Sequence, residues 1–200
     1  MSYCKIFFVI IAILVIEGLN TKLCFGKAAG EYAPAMDMGV AFFTGTSGKS
    51  MTGALAEYFN FRAEDRKGFF RPQAAMEILT AVGKASIGTD TPSASLYNAS
   101  FIVGVHLFPF TAVRFAPFVG GSGVVGWGYL KMGSPPAGVE ANTQSIVYGY
   151  ELTAGVDLRT GSLDGAAIRI KSGLYVTSGK LGGVSSFMLQ GFRISLGMIW

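Results

Sequence analysis

The chain ends in the sequence FMLQGFRISLGMIW, residues 187–200, in which apolar residues alternate with small or polar ones up to the last position. Successive side chains of a β-strand point to opposite faces, so this pattern predicts a strand with one apolar face and one small or cationic face. Chain termini usually fray and carry polar residues. A strand that stays apolar to its final tryptophan therefore needs an apolar environment on one side. The residues of its apolar face are Phe192, Ile194, Leu196, Met198 and Trp200.

The amino-terminal segment is typical of a secretory signal peptide. Its one long apolar run, residues 6–16, follows a lysine and is interrupted by Glu17, which matches the apolar region of such a signal. An uncleaved membrane anchor would need roughly 18–20 consecutive apolar residues, and no stretch of the chain approaches that length. We therefore interpret residues 1–28 as a cleaved signal peptide and residues 29–200 as one domain, with cleavage after Gly26 as a close alternative.

The cysteines and charges of this segment change how the rest of the chain is interpreted. Both cysteines, Cys4 and Cys24, lie inside it. The mature domain would therefore have no disulfide and no cysteine-bound metal, and we expect it to need no cofactor. Removal of the segment also takes away three lysines and one glutamate, which leaves the domain close to neutral. This balance gives no basis for a nucleic-acid partner, and we expect none.

The rest of the chain divides into short segments with period-two alternation, separated by clusters of Gly, Ser, Pro and Asp. Such segments predict β-strands. The second segment has no clear parity, and Pro117 in the fifth predicts a bulge or an early edge position. The eight predicted strands cover residues 36–45, 50–62, 69–83, 97–107, 113–130, 146–158, 166–176 and 187–200.

The connections between these strands alternate in kind. With both termini on one side, the sequences RAEDRKG, FPFTAV and RTGSLDG form compact turns on that side. On the other side fall TGTSGK, GKASIGTDTPSAS, KMGSPPAGVEANTQS and TSGKLGGVS, of which two are clearly longer. Each strand is also long enough for the roughly 9 to 11 residues with which a tilted strand crosses a bilayer.

This arrangement resembles the small outer-membrane β-barrels of Gram-negative bacteria. The sequence FAPFVGGSGVVGWG, residues 115–128, is similar to the Pro-aromatic-Gly strand of barrels of the outer-membrane protein A and X type. The resemblance implies an eight-stranded antiparallel up-and-down transmembrane β-barrel, monomeric among outer-membrane lipids. It also implies that the barrel-assembly machinery recognises the last strand through the apolar face that ends in Trp200. The alternatives are a soluble β-sandwich, which would bury this face in its core, and a lipocalin-like binder, which would enclose an apolar cavity.

If the apolar parity faces lipid, the opposite parity points into the barrel. An eight-stranded barrel is just wide enough to be filled by its own side chains, and charges buried there have to be paired. We therefore expect a plugged interior, in which basic residues of the last two strands face acidic residues of the third and sixth. The residues predicted to form this polar network are Asp37, Arg71, Glu77, His106, Arg114, Glu151, Asp157, Arg169, Lys171 and Arg193.

Two further sets of residues are predicted on the outside. Outward aromatic side chains fall into two groups, as expected for girdles at the two interfaces of a membrane. Toward the loops they are Tyr97, Trp127, Tyr129, Tyr148 and Tyr150, and toward the turns they are Phe70 and Phe115, together with Trp200. Each loop also contains one lysine, which is Lys49, Lys84, Lys131 or Lys180. We interpret these lysines as contacts to lipopolysaccharide phosphates, with ordinary solvated loop charge as the alternative.

Candidate catalytic and nucleotide sites are weak in this sequence. The single histidine, His106, is predicted near the periplasmic rim, and Phe108 stands where lipid A deacylases of similar fold carry serine. The stretch TGTSGKS, residues 44–50, has Phe43 in place of the first glycine of a phosphate-binding loop. We therefore expect a structural or surface-interaction protein without a catalytic site. A narrow pore for small solutes and a lipid A-modifying enzyme are the alternatives.

Overall fold

The computed structural model describes residues 32–45, 49–65, 68–111, 114–159, 166–181 and 184–200. The predicted signal peptide lies outside these described residues. Among them there is no helix long and apolar enough to cross a membrane.

Eight antiparallel strands close into a barrel in sequence order, with β1 paired to β8. The predicted fold class, an eight-stranded antiparallel up-and-down barrel, is therefore confirmed. We call the end that carries the chain terminus the turn end and the opposite end the loop end. The strands are β1 (Tyr32–Thr44), β2 (Lys49–Asp65), β3 (Phe70–Ile87), β4 (Ser93–Leu107), β5 (Phe115–Met132), β6 (Asn142–Arg159), β7 (Ala167–Leu181) and β8 (Val184–Ile199).

The final strand is held on both of its edges. β8 pairs with β7 from Ala167↔Ile199 onward and with β1 from Ala35↔Ile199 onward. The backbone N–H of Trp200 donates a further hydrogen bond to the carbonyl oxygen of Pro34 at 3.1 Å. Because both edges are paired, this terminus has no unpaired strand edge from which to fray. Its alternate residues, from Phe192 to Met198, are exposed on the outer wall.

At the loop end, the strands extend further than the sequence predicts. β3 continues to Ile87 before β4 begins at Ser93, and β7 continues to Leu181 before β8 begins at Val184. The prediction that the four lysines lie in loops is therefore wrong, since Lys49, Lys84, Lys131 and Lys180 all lie on strands with exposed side chains. Their Ser- and Gly-rich surroundings resemble turn sequences, but here Ser50, Ser86 and Ser178 belong to strands.

A bulge in β2 explains why this segment has no clear parity. The pairing of β2 with β3 shifts between Thr52 and Leu55, and Gly53 has a positive φ of 56°. Such a bulge adds one residue to a strand and exchanges the two faces beyond it. Met51 is therefore buried before the bulge, whereas even-numbered residues from Ala54 onward are buried after it.

Toward the loop end the polarity of the wall reverses. Around the middle of the barrel the outward residues are apolar and many inward ones are charged. Nearer the loop end, Leu96 and Leu130 point inward and are fully buried, while the strand neighbours Ser95 and Lys131 point outward. A polar outer face over an apolar core is the pattern of a sheet that meets water. The loop end therefore has the character of a soluble barrel that continues from an apolar wall.

Two local predictions in β5 can be compared with the pairing. Pro117 pairs with Val156 without a register shift, and the pairing with β4 begins only at Val119. Pro117 thus occupies an early edge position and not a bulge. Further along, Gly120 points inward beneath the His106 ring, whereas Gly121 points outward.

Replacing these two adjacent glycines by valine should have different effects. In Gly120→Val the new Cβ would collide with the His106 ring and lie 2.9 Å from Thr153 Oγ1, so we expect unfolding free energy to fall by about 1–3 kcal/mol. In Gly121→Val the nearest atom to the Cβ is Leu152 Cδ2 at 3.7 Å, so we expect little loss. Urea unfolding in lipid vesicles measures both, and equal destabilisation would contradict the assigned faces.

Candidate functional site

Three layers of side chains fill the barrel interior. Nearest the turn end is an aromatic floor, formed by Phe108 and Phe118. Above it lies a charged belt, and toward the loop end lies an apolar roof. The charged belt consists of Asp37, Arg62, Glu64, Glu77, Glu151, Asp157, Arg169, Lys171 and Arg193. The apolar roof consists of Phe43, Met51, Leu79, Leu96, Leu130, Leu181 and Phe187 with their buried neighbours.

Arg169 organises the lower half of the charged belt. Its guanidinium donates to both oxygens of Asp157, with Nε–Oδ1 at 2.6 Å and Nη2–Oδ2 at 2.8 Å. It also donates to both oxygens of Glu64, with Nη1–Oε2 at 2.6 Å and Nη2–Oε1 at 3.1 Å. Two-point contacts of this kind are the strong form of an arginine–carboxylate pair. They join β2, β6 and β7 across the interior.

Arg62 extends this contact to the first and third strands. Its Nη2 lies 2.6 Å from Asp37 Oδ2, and its Nη1 donates to Gln73 Oε1 at 3.1 Å. The amide nitrogen of Gln73 in turn lies 3.0 Å from Ser122 Oγ and 3.0 Å from His106 Nε2. Through Arg62 and Gln73 the network reaches β1, β3, β4 and β5.

The same contacts fix the protonation state of His106. Arginine can only donate, so Gln73 must accept from Arg62 through its oxygen and donate to His106 through its nitrogen. His106 Nε2 is therefore assigned as an acceptor, which assigns the ring proton to Nδ1, 3.2 Å from Glu64 Oε2 and 3.3 Å from Arg169 Nη1. This corresponds to a neutral ring with both nitrogens occupied.

Arg193 organises the upper half of the charged belt. Its Nη1 and Nη2 donate to the two oxygens of Glu77 at 2.8 and 2.7 Å. The guanidinium carbon lies 3.5 Å from the centre of the Tyr175 ring and 4.4 Å from that of Tyr58. Arginine over aromatic rings in a desolvated site is stabilised by cation–π attraction. The two tyrosines thus form the transition from the charged belt to the apolar roof.

Lys171 connects the two halves of the belt. Its Nζ lies 3.5 Å from Asp37 Oδ2 and 3.6 Å from Glu151 Oε1. Glu151 Oε1 is also 3.7 Å from Arg193 Nη1. Each charge of the belt therefore has an opposite charge beside it, as burial requires.

The floor closes the turn end with aromatic and cationic groups. The Phe108 and Phe118 rings stack with centroids 5.1 Å apart. The guanidinium carbon of Arg169 lies 4.5 Å from the centre of Phe118, and that of Arg71 lies 3.8 Å from the centre of Phe108. Among the described residues no group of three or more His, Cys, Asp or Glu side chains could hold a metal ion.

Two solved structures are similar to this chain. The crystal structure of Neisserial surface protein A (NspA) matches with a TM-score of 0.56 and 14% sequence identity, over 85% of this chain and 96% of that chain. The chain has the fold of a small eight-stranded outer-membrane barrel. The structure of Ail, the attachment invasion locus protein of Yersinia pestis, matches with a TM-score of 0.46 and 8% identity, over 85% and 97% of the two chains. No protein-family model and no curated protein sequence matches.

The barrel buries nine of the ten residues that the sequence predicted for the polar network. The prediction for Arg114 is wrong. This residue precedes β5, its side chain is exposed, and its carbonyl oxygen accepts a hydrogen bond from the Arg159 N–H at 2.9 Å. Arg114 precedes the first residue of β5, so the alternation of that strand does not direct its side chain into the barrel.

Sequence reasoning also missed Arg62 and Glu64, each of which forms ion pairs with two other residues of the charged belt. Because β2 contains a bulge, its sequence has no consistent alternation, and Glu64 was assigned to a turn. Read separately from Gly53 onward, the alternation of Asn60, Arg62 and Glu64 with Phe59 and neighbouring apolar residues would have identified them.

The predicted girdle residues are placed on the outer wall. Tyr97 and Tyr129 lie side by side on β4 and β5, with ring centroids 6.3 Å apart. Trp200 is partly exposed at the turn end. Exposed side chains are found at Phe70, Tyr97, Phe115, Trp127, Tyr129, Tyr148 and Tyr150.

Removing the charge of Glu64 should destabilise the barrel strongly. Glu64→Gln would leave Arg62, Arg169 and His106 without their shared carboxylate, and breaking a buried ion pair costs about 3–5 kcal/mol. Glu57→Gln is the matched control on the same strand, because Glu57 is exposed on the outer wall and its loss should cost no more than about 0.5 kcal/mol. Unfolding in urea, followed by tryptophan fluorescence, measures both. Similar midpoints for the two variants would show that the belt does not stabilise the barrel.

Proposed function

We propose that this protein is a structural or surface-interaction barrel of the bacterial outer membrane, with an interior that neither conducts nor catalyses. The observation that carries this proposal is the filling of the interior by floor, belt and roof, inside a wall whose outward side chains are apolar. Large apolar side chains are exposed on all eight strands. Such a wall is expensive in water and favourable in lipid. NspA, which shares the fold, is by its name a surface protein.

The layered interior argues against the pore alternative. A pore needs a continuous wet path, but Leu96, Leu130 and Phe187 are fully buried across the loop end. Apolar side chains packed at the density of a protein core leave no room for a water column. Below them the belt charges are already bound to one another, so an entering ion would have to displace a paired residue.

The contacts of His106 argue against the enzyme alternative. A general base or acid has to reach the group with which it exchanges a proton. His106 is 0% exposed, both of its ring nitrogens have partners, and the Phe118 ring lies 4.6 Å from it. This histidine thus has the surroundings of a structural residue in the belt.

The outer surface suggests the partners. Lys49, Lys84, Lys131 and Lys180 are exposed near the loop end, where lipopolysaccharide phosphates would lie in the outer leaflet. We propose that they attract these phosphates, and that the barrel acts as a monomer among outer-membrane lipids. The barrel-assembly machinery would recognise the apolar face of β8, which ends in Trp200, during insertion.

Purified barrel should give a flat current trace in planar bilayers. The sealed interior offers no path for ions, so conductance should stay at the level of the bare bilayer even in concentrated salt. Heat-shifted gel mobility of the same preparation is the control that the protein was folded and inserted. Discrete current steps that scale with salt concentration would contradict the sealed interior and favour the pore.

Deleting Trp200 should leave the protein in the periplasm. The deletion removes the terminal aromatic ring and the N–H that bonds to Pro34, so both recognition and closure of the barrel should weaken. Trp200→Phe keeps an aromatic ring and the backbone bond, and we expect it to reach the membrane at normal levels. Cell fractionation with immunoblotting measures the distribution. A deletion variant found in the membrane at normal levels would reject the role of Trp200 in assembly.

A further inference from the structure

The outer wall carries an apolar groove where β5 lacks outward side chains. Gly123 faces outward, and a Cβ placed there would find only the Val103 carbonyl oxygen, at 3.9 Å. The neighbouring strands border this gap with Phe101 on β4 and with Tyr148 and Tyr150 on β6. The resulting groove has a volume of about 590 Å³. It is a depression in the outer wall, bordered by aromatic and β-branched side chains.

A polar pocket lies directly above this groove, toward the loop end. It has a volume of about 740 Å³ and is lined by Tyr129, Glu140, Asn142, Thr143, Gln144 and Lys180. The Tyr129 hydroxyl donates to Asn142 Oδ1 at 3.2 Å, which holds the tyrosine against β6. This pocket therefore combines an aromatic ring, two amides and a hydroxyl with one cation, Lys180, and one carboxylate, Glu140.

The strand register fixes the distance between the two sites. Val125 pairs with Tyr148 beside the groove, and Tyr129 pairs with Gln144 at the polar pocket. Both steps are four residues along a strand, or about 13 Å at 3.3 Å per residue. An amphiphile with its chain in the groove would reach the pocket with its headgroup.

The chemistry of the pair of sites selects the class of amphiphile. An apolar groove with aromatic borders suits an acyl chain, whereas amides beside a tyrosine ring suit the hydroxyls and faces of a sugar. Lys180 in the pocket and Lys131, which pairs with Asn142, would attract phosphate, and the two lysines outnumber the single carboxylate of the pocket, Glu140. A plain phospholipid headgroup would leave most of the amide-lined pocket unused.

Among the described residues, the wall formed by β1, β2 and β8 has a different outer face. Near the loop end, β1 and β2 present Thr44 and Thr52 outward, and nearer the middle β2 and β8 present Glu57 and Gln190 outward. The outward tyrosines and tryptophan of this level all lie on β4, β5 and β6. These aromatic side chains therefore lie on one side of the barrel. A shell of lipids bound without specificity would not require this asymmetry.

We propose that the β4–β7 wall binds one lipopolysaccharide molecule, with a lipid A acyl chain in the Gly123 groove and the phosphorylated sugar in the polar pocket. This site rests on the proposed function, because it requires the loop end to lie at the outer leaflet. It goes further in assigning the contact to one side of the barrel and to two of the four lysines.

The test measures how much lipopolysaccharide stays with the barrel after extraction in mild detergent. Gly123→Leu fills the groove with an apolar side chain, and the double variant Lys131→Gln/Lys180→Gln removes the cations near the pocket. Each should reduce retained lipopolysaccharide at least about fivefold. The controls are Ala74→Leu, which enlarges an outward side chain on β3, and Lys49→Gln/Lys84→Gln, on the other strands. Ala74→Leu should retain it as the unaltered barrel does, and Lys49→Gln/Lys84→Gln should lose clearly less than Lys131→Gln/Lys180→Gln.

The alternatives give different results. Equal loss from the two lysine pairs would overturn the one-sided site but leave the broader lipopolysaccharide contact of the proposed function. No loss from either pair would reject both. Equal retention of phosphatidylglycerol, offered in competition, would mean a generic anionic-lipid surface and overturn the sugar assignment. A change in dimer content of Gly123→Leu without lipid loss would show that a second barrel occupies the groove. Heat-shifted mobility confirms folding of each variant, and the lysine pairs test the site even if Gly123→Leu fails to fold.

Discussion

The structure depends on one constraint: every charged side chain that points away from lipid has to pair with an opposite charge inside a barrel of fixed width. Arg169 satisfies this constraint by donating two hydrogen bonds to Asp157 and two to Glu64. Arg193 does the same with Glu77. Because Glu64 and Glu77 are more than 100 residues away from these arginines in the chain, the network forms completely only when the barrel is closed. Closure and charge pairing therefore stabilise each other.

The change of polarity along the barrel axis follows from the same constraint. Where the outer wall is apolar the interior accepts polar groups, and where the outer wall becomes polar the interior becomes an apolar core. Leu130 and Lys131 are neighbours in sequence yet belong to roof and solvent face respectively. One continuous sheet thus meets lipid in one part and has the pattern of a soluble barrel in another. The apolar roof that results is also what seals the interior.

Much of the site could be anticipated from alternation alone, since Glu77, Glu151, Asp157, Arg169 and others were assigned inward by parity. The failures have local physical causes. The bulge at Gly53 exchanged the faces of β2 and hid Arg62 and Glu64. Strands that continue beyond the apolar wall carry Ser, Gly and Lys on their solvent face, and a sequence pattern cannot distinguish these from loop residues.

The sequence by itself determined the number of strands and, for every strand except β2, the face that is apolar, because alternation has a period fixed by strand geometry. Only the tertiary structure decided which charges meet, since their distances depend on register and on closure of the barrel. The same holds for the groove at Gly123 and the pocket above it. A glycine in a sequence indicates a missing side chain, but whether that gap is open depends on what the neighbouring strands place beside it.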